Sequence, residues 1–223
     1  MTGIMTKLAI FDLDGTLLDT VKDLGNATNH ALTECGFPTH PIEAYYQMVG
    51  RGIYNHFRAA VPAGQSTEEV VQRMASIFIP YYDAHKCDFT RPYDGIPAML
   101  KTITAAGVRL AVASNKYQDG AEKLVHHFFG EYDFVRILGQ REGQPIKPDP
   151  AIVDQVLAEV PSVTKSETVY VGDSNVDMQT GLNAGVRTVG VSWGFRTREE
   201  LAAYSPSAIV DTPEELSRVI LGA

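Results

Sequence analysis

Asp12-Leu13-Asp14-Gly15-Thr16 directly follows a short apolar run, Lys7-Leu8-Ala9-Ile10-Phe11. Asp-Gly pairs favour tight turns. A hairpin is disfavoured here, because residues 17–23 lead into a helical pattern. Two carboxylates and a hydroxyl converging at a strand end suit metal-assisted phosphoryl chemistry. One carboxylate attacks, the second moves the proton, and a divalent ion neutralises the charge.

Three further clusters follow apolar runs in the same way. Ser114-Asn115-Lys116 ends the run at 109–113, where small donors can hold phosphoryl oxygens, although Ser-Asn is also ordinary loop chemistry. Lys147 lies in Lys147-Pro148-Asp149-Pro150, whose prolines fix the backbone and start a helix near Ala151. A lysine on a rigid loop can stabilise a nucleophile and a transferring group; without context, a solvated surface lysine is the plainer reading. Gly172-Asp173-Ser174-Asn175-Val176-Asp177 follows the run at 168–171 and again places two acids at a strand end. Asp177 could equally serve the N-terminus of the next helix.

These clusters need elements to hold them. Short continuous apolar runs at 7–11, 109–113, 134–138, 168–171 and 188–191, with a weaker one at 208–210, predict strands buried on both faces. Helical patterns separate them at 96–106, 118–129, 151–160, 178–184 and 213–221, with Gly107, Gly130 and Gly185 read as left-handed stops. The alternation predicts an α/β fold, a doubly wound parallel sheet of Rossmann type. Such sheets bind ligands at the carboxyl ends of their strands, where all four clusters fall. Residues 18–91 show no strand, only helical patterns at 21–35, 42–48, 53–60 and 68–84. The expected organisation is a core of residues 1–17 and 92–223 with a helical cap, residues 18–91, inserted after the first strand as a lid.

Composition agrees with such an enzyme. The 223 residues are 44% apolar and 21% charged, enough for a substantial core. A net charge of −8 without basic blocks excludes a nucleic-acid partner, but not a small anionic substrate met by a few focused cations. No run is long enough for a membrane span or a signal-peptide core. Cys35 and Cys87 stand in no metal or redox spacing, which predicts reduced thiols and a cytoplasmic protein. The six histidines form no metal motif and read as packing and surface.

In this order, Asp12-x-Asp14-Gly-Thr, Ser114-Asn115, Lys147 and Gly172-Asp173-x-x-x-Asp177 resemble the four motifs of the haloacid dehalogenase superfamily. The resemblance runs from Lys7 to the last helix, and the insert is similar to that family's helical cap. Ser114-Asn115-Lys116 and Gly190-Val191-Ser192-Trp193-Gly194 resemble the phosphoglycolate phosphatases within it. The resemblance implies a Mg2+-dependent phosphomonoester hydrolase acting on a small phosphorylated metabolite, 2-phosphoglycolate. It implies that Asp12 forms an aspartyl-phosphate, and that Asp14 protonates the leaving alkoxide and then activates water. An acid at Asp14 also weighs against the dehalogenases of the superfamily, which do not need that proton shuttle. The implied Mg2+ ligands are the carboxylates of Asp12 and Asp173 and the backbone carbonyl of Asp14, with Asp177 and Thr16 supporting them from behind. Ser114, Asn115 and Lys147 would hold the phosphoryl oxygens.

Specificity is expected from the cap. Gly50-Arg51-Gly52 could turn a cation into the cleft, or be a helix–helix turn with an exposed arginine; Lys116 is the second candidate. His30, Tyr45, Tyr46 and Tyr54 read as cap packing. The alternatives are a related phosphatase or phosphoglucomutase acting on a sugar phosphate, and a catalytically idle binding subunit. The presence of Asp12, Asp14, Lys147 and Asp173 disfavours the last.

Overall fold

The computed structural model describes residues 5–222. From the amino end run β1 (Leu8–Phe11), the two-residue β2 (Leu18–Asp19), and helices α1 (Val21–Glu34), α2 (Tyr45–Met48), α3 (Ile53–Ala60) and α4 (Glu68–His85). Then follow β3 (Arg91–Pro92), α5 (Ile96–Ala105), β4 (Arg109–Tyr117), α6 (Gln118–Phe129), β5 (Phe134–Gln140) and α7 (Ala151–Ala158). The chain finishes with β6 (Thr168–Gly172), α8 (Asn175–Ala184), β7 (Arg187–Val191), α9 (Arg198–Ala202), β8 (Ala208–Val210) and α10 (Pro213–Leu221).

Six strands form one sheet in the order β5-β4-β1-β6-β7-β8, every pairing parallel. The central β1 is wholly apolar because neither of its faces meets water. Successive side chains alternate between faces. Ala9 and Phe11 join a cluster with Ile96, Leu100, Leu124 and Leu216, while Leu8 and Ile10 pack with Ile152, Val153 and Val156. The sheet is therefore covered by helices on both sides, as expected.

A separate apolar cluster fills the helical insert, around Leu32, Tyr45, Phe57, Met74, Phe78 and Tyr82. Thr67 caps the amino end of α4, its side chain accepting from the Val70 N–H. Phe195, which lies beyond β7 in the sheet portion of the chain, also belongs to this cluster.

The structure corrects four local expectations. β2 pairs antiparallel with β3 where the chain leaves and re-enters the sheet portion, although residues 18–91 carry no strand pattern. Two residues are too few to show a period. Ser114, Asn115 and Lys116 lie inside β4, which continues to Tyr117 after its ladder slips beyond Ala113. Gly130 is right-handed (φ −62°), unlike Gly107 (+86°) and Gly185 (+68°). A glycine stands there because a Cβ would lie 2.5 Å from the His126 carbonyl oxygen. Tyr54 is exposed rather than packed in the cap. No helix among the described residues is long and apolar enough to cross a membrane.

Candidate active site

Because β4, β1 and β6 are neighbours, their carboxyl ends bring Ser114, Asp12 and Asp173 to one edge. Asp12, Asp173 and Asp177 are all buried, and one carboxylate oxygen from each lies within 4.8 Å of the others. Lys147, 2% exposed, reaches this group from the loop before α7. Its ammonium stands 3.0 Å from Asp12 Oδ1 and 2.7 Å from Asp177 Oδ1.

One ammonium cannot balance three buried carboxylates, so full ionisation of the cluster is disfavoured. Burial, reinforced by Asp177 against the pull of Lys147, pushes the Asp12 carboxyl up to about 7. Burial, reinforced by Asp177 and Asp12, drives Asp173 well above its ordinary range. Burial opposes the charge on Lys147, but Asp12 and Asp177 outweigh it and hold that ammonium firmly protonated. Such a donor set fits a hard divalent cation, which takes oxygen ligands and would relieve this repulsion.

The acids differ in how much of their hydrogen-bonding capacity is already used. Asp177 Oδ2 accepts from the Ser174 N–H (3.0 Å) and hydroxyl (2.6 Å) in the capping box of α8, and Oδ1 faces Lys147. That commitment suits a supporting residue better than a metal ligand. Asp173 Oδ1 accepts from Thr16 Oγ1 (3.0 Å), and Oδ2 from the Phe195 N–H (2.7 Å). Asp12 Oδ1 accepts from the Leu13 N–H (2.7 Å) and meets Lys147, which leaves Oδ2 as its open oxygen among the described residues. Gly15 has φ +85°, and a Cβ there would lie 2.3 Å from Asp173 Oδ2. The Asp-Gly turn thus permits both the backbone angle and the close approach of the two acidic loops.

The remaining expected residues divide. Asn115 spends both amide hydrogens on backbone carbonyls, Gly50 O at 3.0 Å and Lys147 O at 3.1 Å, while its Oδ1 accepts from the Lys147 N–H. It braces the lysine loop. Lys116 is buried and bonds both Asp14 oxygens, at 3.0 and 3.2 Å, with its ammonium 4.7 Å from the Tyr82 ring centre. A cavity of about 50 Å³ joins these groups to the cap, with Asp12, Asp14, Ser114 and Lys116 on one wall and Leu24, Ile53 and Phe78 on the other. Arg51 is not among the groups brought together. It is exposed on an adjoining groove that also contains Arg58 and Arg141.

Two buried polar residues stand close to the site: His56, read from the sequence only as packing or surface, and Arg196, for which the sequence carried no expectation. His56 lines the cavity from α3, with Nε2 2.7 Å from Thr28 Oγ1; burial pushes it down to about 4, so it is neutral at physiological pH. Arg196 lies between β7 and α9, 6% exposed, and donates to carbonyls of the cap. Its only sequence signal is adjacency to the Gly190–Gly194 stretch.

Residues 9–191 match the family model of the haloacid dehalogenase-like hydrolases. The chain belongs to that family. The phosphoglycolate phosphatase of Psychrobacter arcticus is 32% identical to it, across 97% of this chain and 96% of the relative. That of Pseudomonas syringae pv. tomato is 34% identical, across 99% of this chain and 80% of the relative. The crystal structure of a candidate phosphoglycolate phosphatase from Lactobacillus delbrueckii subsp. bulgaricus superposes with a TM-score of 0.89 at 33% identity, covering 98% of this chain and all of that one. These relatives make the chain a phosphatase within the haloacid dehalogenase-like hydrolases, and the parallel sheet is the fold they share.

Proposed function

We propose that this phosphatase is Mg2+-dependent, hydrolyses 2-phosphoglycolate to glycolate and phosphate, and works through an aspartyl-phosphate on Asp12. The observation that carries the reading is the buried trio Asp12, Asp173 and Asp177, with the Lys147 ammonium against two of its carboxylates. Asp12 and Asp173, with the Asp14 carbonyl, would hold Mg2+, whose positive charge offsets the carboxylates and the incoming phosphate dianion.

In this reading Asp12 Oδ2 attacks phosphorus, and the bond from phosphorus to the glycolate oxygen breaks. Asp14 gives its proton to the departing alkoxide, then takes one from the water that attacks the aspartyl-phosphate and frees Asp12. Ser114 Oγ and the Lys147 ammonium hold the phosphoryl oxygens, and Lys147 stabilises charge as it shifts during transfer. Asn115 keeps the lysine loop in place. Lys116 and Arg51 are the cations for the substrate carboxylate; the first already lies in the cavity, and the second needs the cap segment to turn.

The cavity lining, with Lys116 beside Asp12 and Asp14, suits a small phosphorylated acid. The names of the relatives point the same way. Residues 18–91 would act as a cap on a core of residues 1–17 and 92–223, with β2 and β3 as the paired connection; residues 1–4 and 223 lie outside the described part. A cytoplasmic location belongs to the same proposal, supported by free Cys35 and Cys87.

The deciding experiment is phosphate release from 2-phosphoglycolate, hexose phosphates and p-nitrophenyl phosphate, with Mg2+ and with excess chelator. The expected result is a preference for 2-phosphoglycolate that chelator abolishes and Mg2+ restores. Full activity in chelator would remove the metal from the reading. A preference for a hexose phosphate would remove the substrate.

A further inference from the structure

Arg196 is buried at the junction of sheet and cap, yet it pairs with no carboxylate within ion-pair distance among the described residues. Its guanidinium instead donates to the carboxyl end of α2: to the Tyr46 carbonyl, to Gln47 O at 3.3 Å and to Val49 O at 3.1 Å. The last carbonyls of a helix lack partners within it, and a planar fork of donors can serve several at once where an ammonium cannot. The residue beside it is tied to the opposite side of the junction. Phe195 donates its N–H to Asp173 Oδ2 at 2.7 Å, while its ring stands edge-on to Tyr46 with centroids 5.5 Å apart. The connection has no slack, because a Cβ on Gly194 would lie 2.3 Å from both Asp173 Cβ and the Gly15 carbonyl oxygen.

The cap segment gripped in this way is held at its other end too. Gly50 O accepts from Asn115, whose amide also braces the backbone of Lys147. Residues 46–50 are thus pinned by Arg196 on the Asp173 side and by Asn115 on the Lys147 side. A shift of this segment reaches both flanks of the acidic cluster.

We infer that Arg196 is a positioning residue for the phosphatase reaction: it locks cap residues 46–50 in their docked place and, through Phe195, sets the Asp173 carboxylate. The inference rests on the reading of Asp173 as a metal ligand. Cap docking and metal binding are then coupled, and coupling acts in both directions. Whatever undocks the segment weakens Mg2+ binding, and Mg2+ in turn favours docking.

The test uses Mg2+-dependent stabilisation against heat, followed through the fluorescence of the sole tryptophan, Trp193, whose Nε1 donates to Thr16 O at 3.0 Å beside the cluster. Wild type, Arg196→Met and Arg196→Lys are titrated with Mg2+ without substrate, and kcat/KM for 2-phosphoglycolate is measured at low and saturating Mg2+. In Arg196→Met the half-saturating Mg2+ concentration is expected to rise roughly tenfold, with kcat/KM at low Mg2+ falling at least as much and recovering in part at saturation. Arg196→Lys, with fewer donors, shifts less in the same direction. A folded Arg196→Met that melts lower but keeps the wild-type Mg2+ titration and kcat/KM makes Arg196 a cap-stability residue and overturns the inference. If the methionine variant does not fold, an unshifted titration for Arg196→Lys overturns it. A wild type with neither a Mg2+ response nor Mg2+-dependent turnover fails at the proposed function itself.

Discussion

The two walls of the cavity are made of opposite materials. On the strand-edge side stand Asp12, Asp14 and Lys116, with Lys116 at hydrogen-bonding distance from Asp14, and Lys147 from Asp12. On the cap side stand Leu24, Val49, Ile53 and Phe78, with a neutral histidine. The contrast separates two tasks. In the proposed reaction the charged wall would hold groups where charge develops, while the apolar wall would exclude water and strengthen the electrostatic interactions opposite it. Substitutions on the first should therefore remove chemistry while sparing the fold. Those on the second should change selectivity or stability.

The sharpest test of that contrast is Asp12→Asn. An amide cannot form an acyl phosphate, so turnover is expected to vanish in a phosphate-release assay while the far-ultraviolet circular dichroism stays that of wild type. In metal-free buffer its melting temperature should equal or exceed the wild-type value, because the amide relieves repulsion from Asp173 and Asp177. Near-wild-type turnover in a freshly purified variant would remove Asp12 as nucleophile. Next in size is Lys147→Ala. Losing a donor to the transferring group typically costs roughly a hundred- to a thousandfold in turnover. Steady-state kinetics should show this loss in kcat far more than in KM; the reverse would make Lys147 a ground-state binder.

Smaller effects decide which wall reads the leaving group. Lys116→Met and Arg51→Ala are each compared on 2-phosphoglycolate and on p-nitrophenyl phosphate, whose leaving group carries no carboxylate. Loss of a charged hydrogen-bonded pair costs about 2–5 kcal/mol, so the true carboxylate partner should lower kcat/KM on the first substrate selectively. Equal losses on both would assign the residue to folding or cap closure. The placement of Lys116 within the cavity, against the exposed position of Arg51, favours the lysine.

The smallest effect lies in the cap itself. Burial depresses His56 to about 4, below the ~6.5 of an unfolded histidine. Between those values the unfolded chain binds the extra proton, so stability rises with pH across that window and falls on acidification. The lost stability amounts to about 3 kcal/mol at most. His56→Gln should therefore narrow the gap in melting temperature between pH 7 and pH 5. An unchanged gap would mean that His56 does not carry the acid sensitivity; the raised Asp12 carboxyl works in the opposite direction, since its protonation on acidification favours the folded state.

What could be read from the chain alone follows from contiguity. Each acidic cluster sits beside the apolar run that becomes its strand, so Asp12, Asp14 and Asp173 needed only the rule that parallel sheets bind at their carboxyl ends. The same locality made the alternation of strands and helices readable, and with it the parallel sheet. Nothing local marks the contact of Arg196 with Tyr46, residues separated by 150 positions, or the use of the Asn115 amide on Gly50 and Lys147. Nor does helical period reveal that His56, one polar residue on an amphipathic helix, turns inward to Thr28. Those positions depend on how the cap lies against the sheet. That arrangement is set by long-range packing, such as Phe195 entering the cap cluster, and only the tertiary structure contains it.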